Sequence, residues 1–305
     1  MFREIKILTI ILSLLCIVIS KNLTLHDFDN PSATHILDAI VHNDLLIVSG
    51  MIGGIEFYDI SNPQVLNHLD NLQLSNGGGG GTKPNCIVAS GNYAYVTTNQ
   101  GLGIINISNP SNPQYLGVVS GSNGYILENL DVIQRYGGLL AVAAHEDGVL
   151  LYDISNPANP EYLSTIQAEN AWAVAIDDYH MYVADGSTLL DYYENESLNS
   201  EYSLLATVEL SNAIKDITID NGYLYAAIGS DGVVVINLMV NVTPQIIDTY
   251  NTSAMANRLE ILDEGKIAVS DWDDVEVLEL NIDDTDWSNW ITSLDLVGYK
   301  NTTRR

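Results

Sequence analysis

The chain has 305 residues, 47% of them hydrophobic, and a formal net charge of −28, because only 11 residues are Lys or Arg. This apolar content is too high for an intrinsically disordered chain, and the scarcity of Lys and Arg argues against nucleic acid or an anionic lipid surface as the partner. An acidic surface favours solubility and cationic partners, metal ions included, although acidic residues most often do no more than face solvent.

The first 20 residues have the pattern of a secretory signal peptide. Arg3 and Lys6 form a basic start, an apolar run of 13 residues follows at 7–19, and Ser20 is a small residue at a plausible cleavage position. Because the run is shorter than the roughly 20 residues that span a bilayer, we predict cleavage before Lys21, a secreted or cell-surface location, and no integral membrane span in the mature chain. Asn-x-Ser/Thr sequons provide four candidates for N-glycosylation: Asn22, Asn195, Asn251 and Asn301.

Cys86 is the one cysteine that remains after residue 20. It therefore cannot form an intramolecular disulfide, and a zinc site built from several cysteines is excluded. Its apolar surroundings in the sequence are typical of a buried structural thiol.

Six segments along the chain each read as two short β-strands around a polar turn. Their second strands are near-continuous runs of β-formers, such as YAYVT and YLYAA, as expected of strands buried on both faces. The turns, such as SGN, DNG and DEG, contain Gly, Asn or Asp, which tolerate the positive φ of tight hairpins. The six segments are 41–49, 88–97, 132–143, 174–184, 217–227 and 261–270.

A third and a fourth strand follow each of these pairs. The third strands include GIEFYDI and GVLLYDI, and the fourth strands include EYLSTI and QIIDTY. Four-stranded units of roughly 40–47 residues, uninterrupted by amphipathic helices, are typical of β-propeller blades. We therefore predict an all-β fold, a single β-propeller over residues 21–305, with blades at approximately 33–84, 85–127, 128–171, 172–214, 215–256 and 257–296.

Two segments compete for the strand that would complete the last blade. Residues 23–28 (LTLHDF) look like a fourth strand without its first three, and residues 290–296 have the same character. Whichever segment is not used would pack outside or belong to a partial seventh blade, so six blades are expected and seven stay open.

The triplet Ser-Asn-Pro begins at Ser61, Ser108 and Ser155, which are 47 residues apart both times. Proline fixes φ and has no N–H group, so it belongs just outside a strand, and an Asn or Ser before it forms a side-chain-to-backbone turn. We interpret the triplet as the turn that ends the third strand and leads into the fourth.

The string GVLLYDISNPANPEYL at 148–163, with its relatives at 54–66 and 103–116, resembles the LVIVD repeat family. That family takes its name from the third-strand motif and is regarded as propeller-forming, extracellular or surface-associated, and mostly without assigned biochemistry. The resemblance covers roughly residues 33–296 and is strong in the first three units, whereas the later units lack Ser-Asn-Pro. It implies a propeller but no catalytic residues, because the shared pattern is structural.

In a propeller, the loops between second and third strands share one rim with the connections between blades, and ligands commonly bind there. Acidic residues concentrate in these loops of blades three to six, and the aromatic face of Trp272 between two carboxylates suits a sugar or a cation. The candidates for ligand binding at the rim are His145, Glu146, Asp147, Asp185, Asp231, Asp271, Trp272, Asp273 and Asp274.

Three further acids, Asp38, Asp131 and Asp216, lie near the starts of the first strands of blades one, three and five. They are candidates for the channel that first strands line. One interpretation is that rim and channel carboxylates bind a cation, with Ca²⁺ or Mg²⁺ suited to oxygen ligands. The other is that each carboxylate accepts hydrogen bonds from backbone N–H groups. No cofactor is firmly implied, and Ca²⁺ is the one candidate.

Motifs for catalysis are sparse. The sequence has no G-x-S-x-G nucleophile elbow, and His145 lies beside Glu146 and Asp147 in a tight turn, where adjacent side chains rarely face each other. We therefore expect a non-enzymatic scaffold that binds a protein or glycan partner through its acidic rim. The alternative is a propeller hydrolase or lyase that uses rim carboxylates, with or without a metal. A deep pocket with convergent carboxylates would favour the enzyme, and a broad rim with exposed aromatics would favour binding.

Overall fold

The computed structural model describes residues 34–52, 54–62, 64–74, 82–120, 122, 124–125, 127–134, 138–177, 179–194, 201–239, 243–262, 265–272, 274–282 and 291–301. Every regular element in these ranges is a β-strand, and no helix that could cross a membrane occurs among them. The all-β prediction is therefore confirmed. The signal-peptide prediction, and residues 23–28, lie outside the described residues.

The strands form two compact units, and the first of them, residues 26–214, contains four sheets. Each sheet is four-stranded and antiparallel, and its strands follow one another in chain order, so that each sheet is one blade. Blade one contains β1 (Thr34–His42), β2 (Leu45–Ile52), β3 (Gly54–Asp59) and β4 (Asn67–Leu72), and blade two contains β5 (Pro84–Ser90), β6 (Tyr93–Thr98), β7 (Gly101–Asn106) and β8 (Gln114–Val118). Blade three contains β9 (Leu130–Ile133), β10 (Leu139–Ala143), β11 (Val149–Asp153) and β12 (Glu161–Ile166), and blade four contains β13 (Ala171–Ile176), β14 (His180–Asp185), β15 (Thr188–Glu194) and β16 (Tyr202–Glu209).

The second unit, which includes residues 215–305, contains two sheets of the same kind. Blade five contains β17 (Asp216–Asp220), β18 (Tyr223–Ala227), β19 (Val233–Asn237) and β20 (Gln245–Tyr250), and blade six contains β21 (Arg258–Ile261), β22 (Lys266–Ser270), β23 (Asp274–Ile282) and β24 (Ile291–Asn301). The strand β24 takes the fourth position of blade six, so the C-terminal candidate fills this place, and the strand continues to Asn301, past the expected end at residue 296.

Six four-stranded antiparallel sheets in succession are the blades of a six-bladed β-propeller, as predicted. Within the first unit, the first strand of each blade contacts the first strand of the next, from β1 through β5 and β9 to β13, and β17 contacts β21 in the second unit. The described residues contain no seventh sheet.

Burial follows strand position within each blade. The second and third strands are the core: all five residues of β18 are buried, whereas every residue of the fourth strand β16 is exposed or half-buried. This confirms that the near-continuous apolar runs are strands covered on both faces. Five tyrosines are among the largest fully buried side chains: Tyr58, Tyr95, Tyr152, Tyr182 and Tyr225. Cys86 is buried as well and forms no disulfide.

The turn after the third strand is built by the residue that ends that strand. The carboxylates of Asp59 and Asp153 accept the N–H groups of Ser61 and Ser155 at 2.8 and 2.6 Å. This bond lowers the pKa of Asp59. Asn106 and Asn237 accept from the residue two positions on in the same way, at 2.9 and 2.8 Å. The Asn before proline forms the predicted turn in blade one, where Asn62 accepts the N–H of Gln64 at 3.2 Å. The Asp or Asn three positions before that Asn adds a second side-chain bond, which the sequence reasoning did not predict and which explains why blade five turns without the triplet.

Candidate functional site

The loops between second and third strands are hydrogen-bonded to the segments that enter each new blade. In the first unit, His145 and Ala171 exchange two backbone hydrogen bonds of 3.0 Å. In the second unit, Gly229 and Ala256 are joined in the same way, at 3.2 and 3.0 Å. These two sets of loops are here called the rim.

A pocket of about 530 Å³ opens at the rim beside the starts of the first strands in blades one to three. Its lining combines two amide side chains, a hydroxyl, one ammonium and one carboxylate with apolar walls and a tyrosine. The residues are Leu37, Lys83, Pro84, Asn85, Thr98, Asn99, Tyr125, Leu127 and Glu128. Several backbone–side chain bonds hold this lining in place: Asn99 accepts the N–H of Lys83 at 2.7 Å, and the amide of Asn85 donates to the carbonyl of Glu128 at 3.2 Å.

His145 extends this site toward blade four. Its Nε2 lies 3.4 Å from a carboxylate oxygen of Glu128, and its Nδ1 lies 3.2 Å from the amide oxygen of Asn170. Its ring meets the edge of Trp172 at a centroid distance of 5.0 Å. The carboxylate that faces the imidazole is thus Glu128 and neither neighbour in the turn. Glu146 and Asp147 are exposed at the tip of the same turn.

The remaining rim candidates have mostly structural contacts. Asp185 accepts the N–H groups of Glu169 and Asn170, and Asp231 accepts the hydroxyl of Ser230 at 3.2 Å. Asp271 is buried and accepts the N–H of Ala254 at 2.7 Å. The indole of Trp272 is 63% exposed. Asp273 and the side chain of Asp274 lie outside the described residues.

The three channel candidates share one structural role. Each uses a carboxylate oxygen to accept a backbone N–H from the first strand of the next blade: Asp38 from Ile87 at 2.9 Å, Asp131 from Ile176 at 2.8 Å, and Asp216 from Leu259 at 2.9 Å. The bonds join blades one to two, three to four, and five to six. The interpretation that these aspartates bind backbone amides is confirmed, and the amides belong to the following blade.

The glycosylation candidates have different positions. Asn251 is exposed in the loop between β20 and β21. Asn301 is the last residue of β24, and its side chain is outside the described part. Asn22 and Asn195 lie outside the described residues as well.

Two buried carboxylates contact more exposed imidazoles away from the rim. In blade four, His180 Nδ1 is 2.7 Å from Asp191 Oδ1, and the His180 ring stacks on Tyr182 at 8°. Burial raises the pKa of Asp191, and the hydrogen bond from His180 opposes that shift. In blade one, Glu56 is 2% exposed and contacts His68 at 2.9 Å.

A second cleft, of about 470 Å³, lies between blades one and two at the end that carries the Ser-Asn-Pro turns. His42 spans it by contacting the carbonyl of Gly91 at 2.9 Å. Its lining includes Asp44, Asp59 and Ser108. Because the turns themselves form this cleft, its polar groups are largely those that build the turns.

Sequence reasoning missed Lys83, Tyr125 and Glu128, the residues that give the pocket its charge and its aromatic wall. They lie in the connections between blades, which carry no repeat motif. The available signal was positional: those connections share the rim with the second-to-third loops, so ionisable and aromatic residues there deserved the same scrutiny.

Comparison with solved structures places the chain among β-propellers. A protein from Lactobacillus plantarum is 16% identical, with 88% of this chain and 87% of that chain covered and a TM-score of 0.68. A "putative 6-phosphogluconolactonase" from Bacteroides fragilis NCTC 9343 is 13% identical, with 89% and 86% covered and a TM-score of 0.64. The computationally designed protein Ika8 is 13% identical, with 82% and 72% covered and a TM-score of 0.57. At these identities the likeness is one of fold.

Two stretches of this propeller, residues 83–120 and 132–166, match the LVIVD repeat. They span most of blades two and three, so the resemblance read from the sequence is confirmed there. The chain is a six-bladed β-propeller that contains LVIVD repeats. No curated protein matches it in sequence.

Proposed function

We propose that the protein is a secreted or cell-surface scaffold without catalytic activity, which binds a protein or glycan partner through its rim. The observation that carries the proposal is the rim pocket of about 530 Å³ with its mixed polar and aromatic lining. Pockets of 300–1,000 Å³ with a few placed polar groups are typical of small-ligand sites.

The chemistry of the pocket suits a sugar better than a purely apolar ligand. A sugar presents hydroxyls that both donate and accept, and amide side chains such as those of Asn85 and Asn99 can do the same. Tyr125 offers an aromatic face with a polar tip. The ammonium of Lys83 and the carboxylate of Glu128 add one charge of each sign, which would orient a ligand. We therefore take a glycan as the first choice for the pocket.

A protein partner would use exposed rim side chains of either unit instead. Glu146 and Asp147 are exposed, and so is Trp272 in the second unit. Aromatic anchors are frequent hot spots of protein interfaces, and acidic groups complement a basic partner.

Affinity capture and a glycan array with the mature chain, residues 21–305, would test the proposal, with heat-unfolded protein as the control. Two variant sets separate the surfaces: Lys83→Ala with Tyr125→Ala for the pocket, and Asp147→Asn with Asp231→Asn for the acidic loops. A glycan ligand should lose about 10-fold or more in affinity with the pocket set alone, and a basic protein partner with the acidic set alone. If the folded chain retains nothing that the unfolded chain does not, or if both sets leave binding intact, the proposal is wrong.

The alternative is a hydrolase or lyase, and one observation favours it. His145 and Glu128 form a carboxylate–imidazole pair at the mouth of the pocket, an arrangement that can move a proton. The lactonase-like neighbour shares the fold only. Turnover of a lactone or glycoside substrate that Glu128→Gln abolishes, while ligand binding persists, would establish the enzyme and displace the scaffold.

A further inference from the structure

Blade four shows how one carboxylate can satisfy the segment that enters a blade. Asp185, the last residue of β14, accepts two successive backbone N–H groups, one with each oxygen: Asn170 at 2.5 Å and Glu169 at 3.2 Å. Both carboxylate oxygens and both amides therefore have partners, and the charge of Asp185 is matched by donors.

Blade six repeats this arrangement with one carboxylate more. Asp271 directly follows β22, and its Oδ2 accepts the N–H of Ala254 at 2.7 Å. The preceding N–H, of Ser253, is bound at 3.2 Å by Oε1 of a second carboxylate, Glu276. Two carboxylates thus divide between them the kind of amide pair that a single carboxylate binds in blade four.

Both carboxylates of this blade-six arrangement are buried. Asp271 is 6% exposed and Glu276 is 4% exposed, and Oδ1 of Asp271 has no hydrogen-bond partner. Glu56 lies near the start of the third strand of blade one, as Glu276 does in blade six. Its carboxylate is hydrogen-bonded to Tyr58, His68 and Asn71. A carboxylate oxygen without a donor is costly to bury, and a cation next to Oδ1 of Asp271 would offset that cost.

The same turn contributes further oxygen. Thr252 is 6% exposed, and its hydroxyl bonds the carbonyl of Ala254 at 3.2 Å, so a hydroxyl and a carbonyl lie next to the amide that Asp271 binds. Ca²⁺ accepts carboxylate, carbonyl, hydroxyl and water oxygens in irregular geometry, whereas Mg²⁺ demands near-ideal octahedral geometry. The net charge of −28 also raises the concentration of cations near the surface.

We propose that blade six binds one Ca²⁺ ion through Oδ1 of Asp271 and the carboxylate of Glu276. Among the described residues, no three His, Cys, Asp or Glu side chains are grouped as metal ligands. The remaining ligands are therefore backbone oxygens and water. This site is separate from the ligand pocket in blades one to three, and its role is to neutralise the two buried carboxylates that bind the segment 252–254.

The test uses residues 21–305 stripped with EDTA, titrated with CaCl₂ in calorimetry and followed by thermal unfolding, with MgCl₂ as the comparison ion. At Ca²⁺ of about 100 times Kd, Tm should rise by roughly 5 °C. Asp271→Asn and Glu276→Gln should each weaken Ca²⁺ binding by about 10-fold or more. The matched control is Asp231→Asn, in the corresponding loop of blade five, which should bind Ca²⁺ like the wild type.

Three results would overturn the proposal. The first is no heat of binding and no shift in Tm with millimolar CaCl₂. The second is an equal loss of affinity in Asp231→Asn, which would indicate diffuse attraction by surface charge. The third is a wild type whose Tm does not respond to Ca²⁺ while Asp271→Asn raises Tm in EDTA, which would show that the buried carboxylate is destabilising and has no bound cation. Circular dichroism of each variant checks that the fold is retained, and Glu276→Gln keeps the test decisive if Asp271→Asn does not fold.

Discussion

Asp131 joins blade three to blade four, and its removal tests whether the channel aspartates are structural. Its Oδ2 accepts the N–H of Ile176 at 2.8 Å, and its Oδ1 accepts the N–H of Val132 at 2.7 Å. Ile176 is 9% exposed and belongs to the apolar cluster shared by blades three and four. In Asp131→Ala the Ile176 N–H therefore loses its charged acceptor in a place that water hardly reaches.

A hydrogen bond to a charged group contributes about 1.5–3 kcal/mol, and a buried donor left without a partner costs about 1–3 kcal/mol. These two figures describe the same loss, so we expect Asp131→Ala to lower the free energy of unfolding by about 2–3 kcal/mol. Asp131→Asn keeps one acceptor oxygen and should cost less, about 1 kcal/mol.

Urea denaturation followed by tyrosine or tryptophan fluorescence measures these differences, and amide hydrogen exchange should show faster exchange at Ile176. The control is Asp147→Ala, an exposed rim acid, which should stay within about 0.5 kcal/mol of the wild type. If Asp131→Ala costs no more than this control, the carboxylate does not hold the blades together and the reasoning fails. A loss of stability that appears only in the presence of Ca²⁺ would point to a metal site instead.

Two further predictions concern a rim glycine and a buried acid. Gly148 (φ +79°) and Gly186 (φ +63°) occupy matching turns, but a Cβ at Gly148 would lie 2.2 Å from the carbonyl oxygen of Ile166, whereas one at Gly186 meets nothing within 4 Å. Gly186→Ala should therefore lower the free energy of unfolding by about 1–2 kcal/mol, from the positive φ alone, and Gly148→Ala should lower it by clearly more. Equal losses of the two variants in urea denaturation would argue against the clash. Because burial raises the pKa of Asp191, the folded state binds that proton more tightly than the unfolded state, so this group's contribution is fully present below its ordinary pKa of 3.8 and is lost as pH rises through the folded pKa. The Tm of the wild type relative to Asp191→Asn should accordingly fall as pH is raised from 4 to 8, and a rise would mean that the pairing with His180 dominates.

Much of the fold followed from local chemistry. Near-continuous runs of β-formers and Gly, Asn or Asp turns recur at a near-constant spacing. Each unit by itself specifies a four-stranded antiparallel blade, because short connections can join only neighbouring antiparallel strands. The order of strands, the burial of the second and third strands and the position of the Ser-Asn-Pro turns were therefore predictable. The prediction for the turn was incomplete, since Asp59 and Asp153 bind the N–H of the following serine in addition to the bond that Asn62 makes with Gln64.

The candidate site depended on contacts between blades, and the sequence has no local signal for these. The register that sets Asp38 against Ile87, or Asp131 against Ile176, joins residues 45 or more positions apart. Likewise, Glu128 rather than Glu146 faces His145 because the connection before β9 and the loop after β10 meet at one rim. The sequence by itself determined the blades, since strands and turns arise from neighbours along the chain. Only the tertiary structure decided which acids bind backbone amides, which line the pocket and which are buried with too few hydrogen-bond donors, because packing between blades determines the partners of each acid.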